Sequence, residues 1–166
     1  LAIFGLGGLG QYAIQIAKLA GVRVIAVDIS DEKLATATTL GADEVVVADK
    51  NAGAAIQAFG GAQGCVNFAP VGATWPLMLA ACNPRATIVL TAVPADKLAF
   101  YTYEVVERGL KVVGSSASNR QEMNELLALA ARGSVKGMIN TMPFEKINDA
   151  LTSLIEGRTE GRTVVH

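Results

Sequence analysis

Gly5-Leu6-Gly7-Gly8-Leu9-Gly10 is the stretch on which the fold turns. It follows an apolar run, Leu1 to Phe4, and a helical pattern opens at Gly8. Gly5, Gly7 and Gly10 match G-x-G-x-x-G, a weak signal by itself. The context strengthens it: a strand pattern before, a helix pattern after, and an acid, Asp28, closing the next strand. Gly5 suits a tight turn. Gly7 carries no side chain to hold a pyrophosphate off the backbone. Gly10 lets the helix pack close to the strand. The free N–H groups and positive dipole end of that helix then face the phosphates.

Bulk properties narrow the class. The 166 residues suit one compact domain. The chain is 51% apolar and only 17% charged, against a usual roughly 25% charged. That balance fits a buried parallel sheet or a chain missing partner surface. Net charge is −1 and Lys and Arg are scattered, so no basic patch points to nucleic acid or an anionic membrane. Residues 51 to 84 carry no charged side chain, but Gly, Pro, Asn and Gln break them, which argues against a membrane span. Cys65 and Cys82, outside any C-x-x-C pair, read as two buried thiols in a reducing compartment. With no signal-peptide pattern visible, a cytoplasmic location is expected. Because Leu1 already lies in a strand pattern, the sequence is expected to be a fragment with substantial chain upstream.

Outward from the glycines, strand and helix patterns alternate. Leu9, Ala13, Ile16, Ala17 and Ala20 fall on one helical face, and Gly21 ends the helix. Val22 to Val27 reads as a strand buried on both faces. Ser30 is the expected N-cap of a helix running to about Leu40. Further strands are expected at 44–48, 64–69, 85–92 and 110–115, with helices at 51–59 and 74–81. Residues 95–103 read as a loop or short extended piece. Helices at 121–131 (Met123, Leu126, Leu127 and Ala130 inward) and 145–156 (Ile147, Ala150, Leu151 and Leu154 inward) follow. Short extended pieces at 137–142 and 162–165 complete the chain. The rhythm predicts an α/β, doubly wound Rossmann fold: a six-stranded parallel sheet flanked by helices, plus C-terminal helices and short strands.

Asp28 stands 18 residues after Gly10, at the end of the second strand. A carboxylate there can accept hydrogen bonds from both adenosine ribose hydroxyls, at roughly 1.5–3 kcal/mol each. It also repels a 2′-phosphate, and the sequence carries no arginine between Asp28 and Arg85. NAD is therefore favoured over NADP. The other reading of Asp28 is a strand-end cap, a role for which Ser30 is better placed. Lys33 is either a solvated lysine paired with a neighbouring acid or a contact to a ribose hydroxyl beside Asp28.

Four blocks give the chain a resemblance to the coenzyme domain of the zinc-type alcohol dehydrogenases, within the medium-chain dehydrogenase/reductase superfamily. They are GLGGLGQYAIQIAKLAG from Gly5, VDISDEKLATATTLGADEVV from Val27, IVLTAVP from Ile88, and PFEKINDALTSLIEGRTEGRTVV from Pro143. The resemblance implies coenzyme binding by backbone at Gly5, Leu6, Gly7, Gly8, Leu9 and Gly10, and by Asp28 and Lys33 at the adenosine end. It implies nicotinamide contacts at Thr91, Ala92 and Val93 and at Ser115, Ser116 and Ala117. It also pairs Arg162 with the pyrophosphate. The family often has glycine where Ala92 and Ser118 stand, and the NFAPVG block from Asn67 lacks an acid often found there.

On the same resemblance, residues 1–117 form the NAD-binding Rossmann domain. Residues 118–166 form a C-terminal segment that packs on it and helps complete the catalytic domain. The parent is expected to be a zinc-dependent enzyme moving hydride between NAD and an alcohol, aldehyde or ketone. Its zinc ligands and proton relay are expected upstream, so this chain supplies no catalytic group and no metal ligand. Pairing into a homodimer or homotetramer is expected through the sixth-strand edge. The zinc-free quinone-reductase branch is disfavoured by Asp28 and by the glycine loop. A nucleotide-sensing Rossmann module without catalysis stays open, and a methyltransferase fits the C-terminal block poorly.

Overall fold

The computed structural model describes residues 1–95 and 97–166. Six parallel strands form one sheet: β1 (Ala2–Phe4), β2 (Ile25–Asp28), β3 (Glu44–Val47), β4 (Ala62–Asn67), β5 (Cys82–Leu90) and β6 (Lys111–Gly114). Their order is β3-β2-β1-β4-β5-β6, so the winding reverses between β1 and β4. In a doubly wound sheet the crevice outside the carboxyl ends of those two strands is where ligands bind. Phe4 pairs with Val27 on one side and with Asn67 on the other, which brings the ends of β2, β1 and β4 level. The expected fold class is the observed one.

Alternate residues of β1 serve two cores. Ala2 and Phe4 join Ile25, Val27, Cys65 and Ile88 under the helices α3 (Ala52–Ala58) and α4 (Thr74–Ala81). Ile3 joins Val24 and Ala26 under α1 (Gly8–Leu19) and α2 (Asp31–Thr39). Every residue of β1 and β2 is buried, as strands covered on both faces must be. Cys65 and Cys82 are free thiols in the first core, with sulfurs 3.5 Å apart. The facing Cys82 sulfur, helped by burial, pushes the Cys65 thiol up, while the same contact lowers Cys82.

Several expectations need correction. In α1 the buried residues are Gly10, Gln11, Ile14 and Ala17, while Leu9 and Ile16 are 49% and 41% exposed. The helix is rotated by about one residue from the most apolar face. The cause is steric: a Cβ on Gly10 would collide with the Gly5 carbonyl, so position 10 must face the loop. Thr102 and Tyr103, expected as the end of a loop, and 104–108, given no element in the sequence, form α5 (Thr102–Arg108), closed by Gly109 in the left-handed region at φ +60. Arg108 anchors it by donating to Leu79 O at 2.9 Å and to Glu104.

The C-terminal elements differ from their expected packing. Helix α6 (Arg120–Ala131) opens on a capping box between Asn119 and Glu122 but buries no residue, and Met123 and Leu127 are exposed. Helix α7 (Ile147–Ile155), entered through a 3-10 turn Phe144–Lys146, leaves Leu151 and Leu154 exposed and only half-buries Ile147 and Ala150. The apolar periodicity is real, but no described element covers those faces. β7 (Ile139–Met142) and β8 (Arg162–Val165) pair in parallel as a separate two-stranded sheet. No helix among the described residues is long and apolar enough to cross a membrane.

Candidate functional site

The site begins where β1 stops. Gly5 leaves the sheet at φ +86, and a Cβ on it would stand 2.6 Å from Ala69 N. Conformation and space both demand glycine here. Gly10 is held by the collision already described. Gly7 has nothing within 4 Å of a would-be Cβ. The open side of the loop is thus the side that faces the crevice. Helix α1 starts at this point with no side-chain cap and no acid in its first turn, which leaves its N–H groups for an anion. Leu6 is fully buried and Leu9 is half-exposed on the helix, so the loop's contribution is its backbone.

Arg162, 154 residues after Gly8, arrives from β8. A Cβ on Gly8 would lie 2.6 Å from Arg162 Nε and 2.8 Å from Gly161 O. The guanidinium therefore stands against the first turn of α1, where it adds a full positive charge to the helix dipole.

Asp28 closes β2 and is 8% exposed. Its Oδ2 accepts from Leu6 N at 2.7 Å and its Oδ1 from Ser30 N at 3.1 Å. The bond to Leu6 N ties the glycine loop to β2, which the sequence does not reveal, and the bond to Ser30 N is the strand-end cap weighed as the other reading of Asp28. Each oxygen keeps a second acceptor site for a ribose hydroxyl. Ser30 caps α2 as expected, accepting from Lys33 N at 3.4 Å. Gly5, Gly7, Asp28 and Lys33 line one crevice of about 380 Å³. Phe68 to Val71, packed against Gly5, line it too, with exposed Ile29. Sequence reasoning missed that segment. The signal available was its place at the end of the fourth strand, across the reversal of strand order.

The remaining candidates gather elsewhere along the carboxyl edge. Thr91, Ala92, Val93, Ser115 and Ser116 line a second cleft of about 460 Å³. Thr91 N and Ala92 N donate to Asn67 O at 3.2 and 3.0 Å, and Ser115 N to Leu90 O at 2.9 Å. Val93 is 88% exposed. Ala117 is exposed just beyond, in the left-handed region at φ +58. Among the described residues, no three His, Cys, Asp or Glu side chains are grouped to hold a metal ion.

The arrangement can hold an extended dinucleotide: diol acceptor, anion-binding helix start and strand-end cleft follow one another along the edge. Comparison with known proteins agrees with that geometry. The profile of the family described as zinc-binding dehydrogenase matches residues 8–132. An alcohol dehydrogenase of Geobacillus stearothermophilus is 36% identical over 99% of this chain and 50% of its own length. The crystal structure of the alcohol dehydrogenase of the archaeon Aeropyrum pernix superposes with a TM-score of 0.94 at 31% identity, over 99% of this chain and 48% of that one. A structure of an NAD-dependent alcohol dehydrogenase superposes at 0.89 with 26% identity, over 99% and 50%. The chain spans about half the length of the relatives it matches.

Proposed function

The chain belongs to the zinc-binding dehydrogenase family, and from that membership we propose that it is the coenzyme-binding half of an NAD-dependent alcohol dehydrogenase. The observation that carries the coenzyme choice is the Asp28 carboxylate, fixed by Leu6 N and Ser30 N at the rim of the crevice. A charge held there receives a ribose diol and repels a 2′-phosphate. The Gly5–Gly10 backbone and the α1 N-terminus hold the pyrophosphate, and Arg162 beside Gly8 neutralises it. Lys33 lies in the same crevice as Asp28, within the adenosine subsite. The cleft of Thr91, Ala92, Val93, Ser115 and Ser116, with Ala117 beside it, receives the nicotinamide. NAD supplies the hydride acceptor and donor.

In the whole protein the substrate is an alcohol or its aldehyde or ketone, and zinc belongs to the half not present here. Residues 1–117 are the coenzyme domain and 118–166 the segment that reaches toward the catalytic half. The separate β7–β8 sheet and the uncovered faces of α6 and α7 support that division. Assembly into a homo-oligomer uses β6, the sheet edge, all of whose residues are exposed. A cytoplasmic location goes with this reading, since two cysteines outside any C-x-x-C pair suit a reducing compartment. Isothermal calorimetry on this chain tests the reading: NAD binds at least about tenfold tighter than NADP, equivalent to about 1.4 kcal/mol. Equal affinities refute the assignment to Asp28.

A further inference from the structure

Asn67 is 2% exposed and ends β4, directly opposite Phe4 across the point where the strand order reverses. No part of the site described so far uses its side chain. That side chain spends both of its hydrogen-bonding functions on one residue: Nδ2 donates to Ala69 O and Oδ1 accepts from Ala69 N, each at 3.1 Å. Ala69 is the residue that abuts the glycine turn, its N lying 2.6 Å from where a Gly5 Cβ would stand, with the Phe68 carbonyl carbon at 2.9 Å. Phe68 N also donates to Phe4 O at 2.7 Å. The Asn67 backbone carbonyl faces the other way along the edge and accepts from both Thr91 N and Ala92 N.

One buried residue is thus bonded to both walls of the site. Phe68 to Val71 line the crevice together with Gly5, Gly7 and Asp28, and Thr91 and Ala92 line the second cleft. We propose that Asn67 is a positioning residue for the dinucleotide: its side-chain amide holds the 68–71 wall against the glycine turn, at the spacing the bound coenzyme needs. The proposal rests on the coenzyme-binding reading above.

The residue type follows from chemistry. Only an amide of this length offers one donor and one acceptor to the two backbone groups of Ala69. Aspartate keeps the acceptor but sets a carboxylate oxygen against Ala69 O. Leucine has similar volume and no polar atom, which leaves two backbone groups of a half-buried turn unpaired or turned into the crevice. Serine is shorter, but its hydroxyl can still accept from the N–H two residues on.

The test is calorimetric titration of the whole chain with NAD and with NADP. It compares Asn67→Leu, Asn67→Asp and Asn67→Ser with the unaltered sequence, at a temperature where circular dichroism shows each variant folded. Asn67→Leu and Asn67→Asp are expected to weaken NAD about tenfold, and Asn67→Ser about threefold. NADP weakens by the same factor, because the choice between the two belongs to Asp28. A residue that serves only the fold lowers the melting temperature and leaves these dissociation constants where they were. NAD affinity within twofold of the unaltered chain in a folded Asn67→Leu overturns the proposal. If Asn67→Leu does not fold, the same twofold criterion applied to Asn67→Asp decides. Absence of NAD binding by the unaltered chain is a separate outcome, which removes the coenzyme reading and this inference with it.

Discussion

The two ends of the crevice are built differently. At the proposed adenosine end, Asp28 is buried and bonded to two backbone N–H groups, in a crevice that Phe68 to Val71 also line. At the proposed nicotinamide end, Val93 is 88% exposed and Ser115, Ser116 and Ala117 are open to solvent. The first end is preorganised, with polar groups fixed before any ligand arrives, so binding there orders little. The second offers strand-end backbone on an open shelf, and a ring laid on it stays half in water. On the function proposed above, the difference implies that this chain recognises the coenzyme mainly through its adenosine half.

The largest effect is expected at the rigid end. Gly10→Ala places a methyl group against the Gly5 carbonyl, between two pieces of backbone that cannot both yield. A loss of about 1–3 kcal/mol in unfolding free energy is expected from urea denaturation. NAD binding by the folded fraction should also fall steeply, because the helix start and the loop separate. An unchanged denaturation midpoint would remove the steric account of how α1 is rotated.

Next in size is Asp28→Asn. It removes the charge but not the bulk, and one of the two backbone N–H bonds then meets an amide nitrogen. With charge-assisted bonds at roughly 1.5–3 kcal/mol each, NAD should weaken by about ten- to a hundredfold. NADP should weaken far less, which narrows the ratio between them. If both fall equally, Asp28 is only the clamp between Leu6 and Ser30, and the comparison loses its electrostatic half.

A smaller effect belongs to the scaffold beneath the adenosine end. Lys18 donates to both oxygens of Asp43, at 2.8 and 2.7 Å, and Val24 N donates at 2.7 Å. The Lys18 bond first, and then the Val24 bond, hold the Asp43 carboxyl below the usual carboxylate range. A group whose pKa is depressed on folding stabilises the fold above its unfolded pKa of about 3.9. That stabilisation disappears as pH falls through the folded value. Thermal unfolding from pH 7 to pH 3 should therefore show a shallower acid decline for Asp43→Asn, and a lower melting temperature near neutrality. Parallel curves would assign the acid sensitivity to other carboxylates.

The rigid end was also the legible one. The spacing of Gly5, Gly7 and Gly10 marks the turn locally, and Ser30 and Asp28 follow from position relative to a strand end. What escaped the sequence was non-local. Gly10 overrode hydrophobicity in setting which face of α1 is buried, so Leu9 and Ile16 point outward. Helix α5 is short, follows Tyr101 without a side-chain cap, and is held by Arg108 reaching to α4. Met123, Leu127, Leu151 and Leu154 keep helical spacing, but spacing names a face and not what covers it. The 68–71 lining and Asn67 depend on strand order, which one sequence does not spell out, and Arg162 beside Gly8 was reached only through the family resemblance.

The most direct measurement compares NAD with ADP-ribose, which keeps the adenosine, pyrophosphate and second ribose and lacks only the nicotinamide ring. Calorimetry of both on this chain, in one buffer, reads the contribution of the open shelf. The account predicts dissociation constants within about threefold of each other, or less than about 0.7 kcal/mol. NAD binding tenfold or more tighter than ADP-ribose would contradict it, by placing the decisive contacts at Thr91 to Val93 and Ser115 to Ala117.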